Sequence, residues 1–218
     1  MDTINKVKSI SIWIFIVPFV AINTCLILIT SFHDLFPNKA HIIHFTFPYI
    51  DGGASISRTA RVFPTYLIFK PAMFLTAYLL VRYWLYIKNI ILNIHGEHKN
   101  LRKILIFGIG SAICLVIHSI FLGIKFDYDL YKLFRRVIML VFIIFEVVAQ
   151  AYLVITLYSI KNKLLNFINL KFLKLKAILV SILVFVMIVS IPIVSMPGNK
   201  HIKHALEWDF FLGVILFY

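Results

Sequence analysis

Five charge-poor apolar stretches dominate the sequence, at residues 10–30, 62–81, 104–124, 137–160 and 177–199. Each holds at least 20 residues, about 30 Å as an α-helix, which matches the thickness of a bilayer's hydrocarbon core. A backbone in lipid must satisfy its own hydrogen bonds, so stretches of this kind fold as membrane helices. The composition agrees, with 61% hydrophobic and 14% charged residues, where a soluble domain is near half apolar and a quarter charged. The longest segment between stretches is Ser31 to Arg61, which leaves no room for an independent soluble domain. The expected fold is therefore all-α: a single polytopic transmembrane helical bundle over residues 1–218. Its five full spans fall at about 9–31, 62–84, 104–124, 137–160 and 177–197, and the short apolar stretch at 203–218 is either a sixth helix cut short or a segment that ends inside the membrane region.

The N-terminal MDTINKVK runs straight into a full-length span without a small-residue cleavage site, which reads as a retained signal anchor. Twelve Lys and Arg flank one side of the expected bundle and nine the other, so the positive-inside rule puts the N-terminus in the cytoplasm. The net charge of +13 is spread over span ends instead of being gathered into a groove-reading patch, which argues against nucleic acid as a partner. Those charges read as orientation signals and headgroup contacts. Cys25 and Cys114 both lie within spans and suggest neither a disulfide nor a metal site. No phosphate-binding loop, dinucleotide fingerprint, zinc-protease helix or nucleophile elbow is present, so no cofactor is expected.

Within the spans, Pro18 and Asn23 mark the first and Pro64 and Pro71 the second, while Gly108, Ser111 and Ala112 form a small-residue packing patch on the third. Between the fourth and fifth spans, KNKLLNFINLKFLKLK aligns Leu164, Ile168, Phe172 and Leu175 at helical spacing, the pattern of an interfacial helix on the cytoplasmic leaflet. Ionisable residues inside a membrane are costly and are candidate functional positions. Three stand out: Lys70, His118 and Glu146. Measured from the ends of the apolar stretches, they share one layer in the non-cytoplasmic half, together with Asn23. Glu146 has Gln150 one turn on as a hydrogen-bond partner. The longest loop faces the same side and carries His33, His41, His44, Asp51, Arg58 and Arg61. Its histidine spacing fits no standard zinc motif, so no metal is expected. Arg58 and Arg61 are suited to phosphate headgroups, because a guanidinium offers paired donors.

Two segments carry a resemblance. FPYIDGGASISRTARVF, with Phe47, Pro48, Tyr49, Ile50, Asp51, Gly53, Arg61 and Phe63, is similar to the first-loop pattern of the FRAG/DRAM/SFK membrane family. HIKHALEWDFFLGVILFY resembles that family's last helix through His201 or His204, Ala205, Glu207, Trp208 and Gly213. The family's Pro-Pro-Glu segment is replaced here by Ile56, Ser57 and Arg58. The resemblance implies a six-helix protein of the endomembrane system, in the endoplasmic reticulum or Golgi. It further implies a role like that of the factors that remodel the lipid of GPI anchors in the lumenal leaflet, with membrane lipids, GPI-anchored proteins or acyl donors as partners. Asp51, Arg58, Arg61, Lys70, His118 and Trp208 are then the lipid-binding candidates. Glu207, His204 and Glu146 are the candidates for proton transfer, although no catalytic nucleophile is identifiable. Two other functions compete: a non-enzymatic membrane organiser, like the family's autophagy modulators, that binds lipid or recruits a cytoplasmic partner through the basic segment 161–176, and a transporter relaying protons through Lys70, His118 and Glu146.

Overall fold

A computed structural model describes residues 2–124, 128–164, 169–196 and 198–218, and all regular structure among the described residues is helical. The long helices are α1 (Asp2–Ser31), α4 (Tyr66–His95), α5 (Leu101–Phe121), α6 (Asp129–Ser159), α8 (Leu170–Ser195) and α9 (Lys200–Leu216). Short helices α2 (Pro48–Asp51), α3 (Ile56–Ala60) and α7 (Lys161–Leu164) lie in the connections. The long helices run up and down. α4 packs on α1, α5 on α4, α6 on α5, and α8 more loosely on α6, while α9 returns between α8 and α1. One end of the bundle, called here the loop end, gathers the 32–65 connection, the α5–α6 turn and the start of α9.

Four helices are long and apolar enough to cross a membrane: Thr3–Ser31, Leu101–Phe121, Asp129–Ser159 and Leu170–Ile193. Their outward faces agree, since Ile12, Trp13, Ile106, Ile113, Ile155, Ile178, Ile182 and Phe185 are each more than half exposed. In water such a girdle would be a large apolar patch; in lipid it is the ordinary surface. The chain is thus a multi-pass integral membrane protein. α4 is as long as α1, at 30 residues, but Lys70, Arg82 and Lys88 interrupt its apolar character. α9, with 17 residues and both Glu207 and Asp209, is shorter than the other long helices.

The helix ends differ from the apolar limits read in the sequence, because turns of helix continue into the polar interface. α1 starts at Asp2, α6 at Asp129 and α8 at Leu170, each seven or eight residues ahead of its expected span. The interfacial helix expected over 161–176 is replaced in its second half by the first turns of α8. There Leu173 is the buried residue, while Phe172 and Leu175 are more than half exposed. Leu164 and Ile168 fall outside the side chains described. Pro64 precedes α4 instead of kinking it, and only Pro71 lies inside. The small-residue patch packs as expected of close helix approach: a Cβ on Gly108 would sit 2.5 Å from the Trp84 ring of α4, and one on Gly110 2.7 Å from Phe145 of α6.

Candidate functional site

The first loop is built to dock. Phe47 precedes Pro48, whose fixed φ starts α2, and Gly52 ends it at φ +60, a conformation that strains other residues. Asp51 ties this turn together by accepting from Thr46 Oγ1 at 2.5 Å, Gly53 N at 2.8 Å and Phe47 N at 2.8 Å. These donors, the Thr46 hydroxyl foremost, hold its carboxyl below the usual carboxylate range. Asp51 is therefore committed to the shape of the loop.

α9 receives that loop along one face. His201 Nδ1 donates to the Asp51 carbonyl at 3.2 Å, His204 Nδ1 to the Gly52 carbonyl at 2.9 Å and Trp208 Nε1 to the Ala54 carbonyl at 2.8 Å. Positions 201, 204 and 208 repeat at three and four residues, so they share a helix face. Glu207, beside them, accepts from the backbone N–H groups of Ile56 and Ser57. Trp208 is fully buried, with Tyr49 edge-on to it at 5.0 Å between ring centres. Tyr49 also reaches Asn23 of α1, its hydroxyl 3.2 Å from Nδ2. His204, Glu207 and Trp208 thus each satisfy backbone groups of an irregular segment, which must be paired wherever water is excluded. Gly52 is what lets the surfaces meet, because a Cβ there would lie 1.8 Å from the His201 carbonyl oxygen. Gly52→Ala is expected to undock residues 48–57, seen as faster amide exchange there than in the wild type.

Docking leaves an open cleft of about 330 Å³ between loop and helix. Tyr49, Asp51, His201 and Asp209 give it polar walls, and Ile50, Ile202, Ala205 and Leu206 apolar ones. Asp209 has no hydrogen bond or ion pair among the described residues.

The cationic candidates gather elsewhere on the loop end. Lys70 donates from Nζ to the Ile120 carbonyl at 3.2 Å, capping the C-terminal turn of α5 where the helix dipole favours a cation. His118 lies in that same turn and is 8% exposed. Arg61 is held below its ordinary value by lost hydration and by the neighbouring guanidiniums of Arg135 and Arg58. Arg135 was absent from the sequence-based candidates; its only signal there was as one of several orientation charges. Arg58 is exposed on α3.

Glu146 does not share this layer. It is buried at midbundle, where Ser111 Oγ donates to Oε2 at 2.5 Å and Gln150 Nε2 to Oε1 at 3.2 Å. The Tyr218 hydroxyl also donates to Oε1. Gln150 Nε2 additionally reaches the Val214 carbonyl at 3.1 Å. Ser111 and His118 are seven residues apart on α5, so Glu146 sits about 10 Å deeper than His118. The three membrane ionisables are therefore two sites, Lys70 with His118 and Glu146 alone, which removes the shared polar layer of the relay. Ser111 on α5 and Tyr218, just beyond the end of α9, are the partners that local sequence spacing missed.

The sequence matches no protein-family profile, no curated protein and no solved structure.

Proposed function

We propose that this chain is a lipid-binding protein of the endomembrane system that acts in GPI-anchor lipid remodelling in the lumenal leaflet. In this reading it spans the membrane six times, with α4 and α9 as second and sixth spans, the N-terminus in the cytoplasm and the loop end in the lumen. The observation that carries it is the amphipathic cleft of about 330 Å³ beside α9, polar against the loop and apolar along the helix. A lipid presents that same change of character at the junction of headgroup and acyl chain. The unpaired carboxylate of Asp209 and the Tyr49 ring suit an amine or hydroxyl of the headgroup. The segments that resemble FRAG/DRAM/SFK proteins are those that frame the cleft.

The accessory form of this function has a specific observation in its favour. Asp51, His204 and Glu207 are spent on loop geometry and backbone pairing, so proton transfer by them would cost the docking. The protein then holds lipid for a partner that performs acyl exchange.

The test is the lipid composition of GPI anchors in a strain lacking the protein, complemented by wild type, Ala205→Trp or Ile12→Trp. The indole at 205 fills the cleft, whereas Ile12 faces outward and is 57% exposed. Ala205→Trp should give normal protein levels with the GPI lipids of the null strain, and Ile12→Trp should restore the wild-type profile. Normal GPI lipids in the null strain, or with Ala205→Trp, would sink the proposal.

A further inference from the structure

We infer that Arg61, His118 and Arg135 form a binding site for a phosphate group where α5 and α6 meet at the loop end. The site is separate from the cleft, and only a lipid origin for the phosphate rests on the function proposed above.

Three elements deliver these side chains. Arg61 ends α3, His118 belongs to the last turn of α5, and Arg135 lies in the second turn of α6. Two contacts draw the elements together. Gly123, at φ +88, passes so close to Arg61 that a Cβ would lie 2.9 Å from the Arg61 carbonyl oxygen. The Tyr131 hydroxyl donates to the Phe121 carbonyl at 2.8 Å, which pins the start of α6 to the end of α5. The Arg135 guanidinium stands 6.0 Å from the Tyr131 ring centre and within electrostatic reach of both His118 and Arg61.

Among the described residues, the guanidiniums of Arg58, Arg61 and Arg135 gather here with no carboxylate in ion-pair contact. Among the described residues, ion pairs join Lys39 to Asp34 and Lys132 to Asp129, and none involves Arg58, Arg61, Lys70, His118 or Arg135. Lys70 is committed to the α5 cap and is left out of the site. The second observation is independent of charge: His118 Nδ1 and Arg135 Nε are both buried without a hydrogen-bond partner. Buried polar groups are paired in the great majority of cases, so two orphans on facing helices, the Arg135 Nε–H and the His118 imidazole in its Nδ1–H tautomer, call for an acceptor. A bound anion relieves the repulsion and the orphaned donors together. Phosphate fits better than a carboxylate, because tetrahedral oxygens can meet donors arriving from three helices, and guanidinium forks match them in pairs. Both orphan atoms are closed to water, so entry of the ligand requires Arg135 to swing away from the Tyr131 face.

The experiment uses the full chain in maltoside micelles, which contain no phosphate, with short-chain phosphatidic acid and inorganic phosphate titrated in separate arms. A saturable rise in the unfolding midpoint with phosphatidic acid alone assigns a lipid headgroup, and a rise with both assigns free phosphate as well. Arg61→Gln and Arg135→Gln should each raise the apparent Kd by roughly tenfold or more, while Lys39→Gln, at an exposed loop position, should leave it unchanged. The exposed Arg61 keeps the test valid if Arg135→Gln fails to fold. No stabilisation by either probe, or unchanged binding by Arg61→Gln, would overturn the site. Phosphate binding in a protein whose deletion leaves GPI lipids normal would remove the remodelling function and leave the site standing.

Discussion

Trp208→Ala unfolds the loop end and lowers stability by about 3–5 kcal/mol. Trp208 is 0% exposed, and its indole is the largest side chain joining the first loop to α9. Truncation opens a cavity against Tyr49 and strips the Ala54 carbonyl of its donor in a region where water does not readily replace it. Trp208→Phe separates the two contributions. It keeps most of the packing and loses the hydrogen bond, so about 1–2 kcal/mol is expected. Thermal unfolding in micelles, with amide exchange over residues 47–57, measures both variants. Equal stability of Trp208→Ala and wild type would mean that the loop does not depend on α9.

Glu146 is the second position of large effect, and its expected behaviour divides by chemistry. Glu146→Ala removes the acceptor from Ser111, Gln150 and Tyr218 at once. Ser111 and Gln150 retain the Gly108 and Val214 carbonyls, whereas Tyr218 loses its bond. Interhelical hydrogen bonds in membranes are individually modest, so with the truncated volume the loss should be on the order of 3 kcal/mol. Glu146→Gln should stay within about 1 kcal/mol of wild type. The Ser111 hydroxyl has one proton and stands within 2.8 Å of the Gly108 carbonyl and 2.5 Å of Oε2. An amide at position 146 can donate to Ser111 and still accept from Tyr218 and Gln150. A proton relay through this carboxyl would instead lose function in Glu146→Gln while remaining folded. Melting curves paired with complementation separate these results.

The helices were legible in the sequence because lipid imposes one rule on long apolar runs, and α1, α5, α6 and α8 follow it. Their ends were less legible. Hydropathy marks where side chains become apolar, whereas the hydrogen-bonded helix continues through Asp129 to Arg136 and Leu170 to Lys176. That offset misplaced Glu146: depth counted from Val137 instead of Asp129 errs by eight residues, about 12 Å. The loop residues and α9 residues that look like family motifs were visible, but their mutual contact is separated by about 150 positions and follows no periodicity. Asp51 consequently read as a lipid contact and His204 and Glu207 as proton-transfer groups, whereas in the structure their atoms pair with loop backbone. Arg135 stayed hidden for the opposite reason, since a terminal arginine is the ordinary signal of membrane orientation.

The most direct test of a lipid-holding loop end is native mass spectrometry of the protein extracted in maltoside. Wild type should carry a retained lipid that Ala205→Trp loses and Ile12→Trp keeps. Equal lipid retention by wild type and Ala205→Trp, or a lipid-free wild type, would contradict the account.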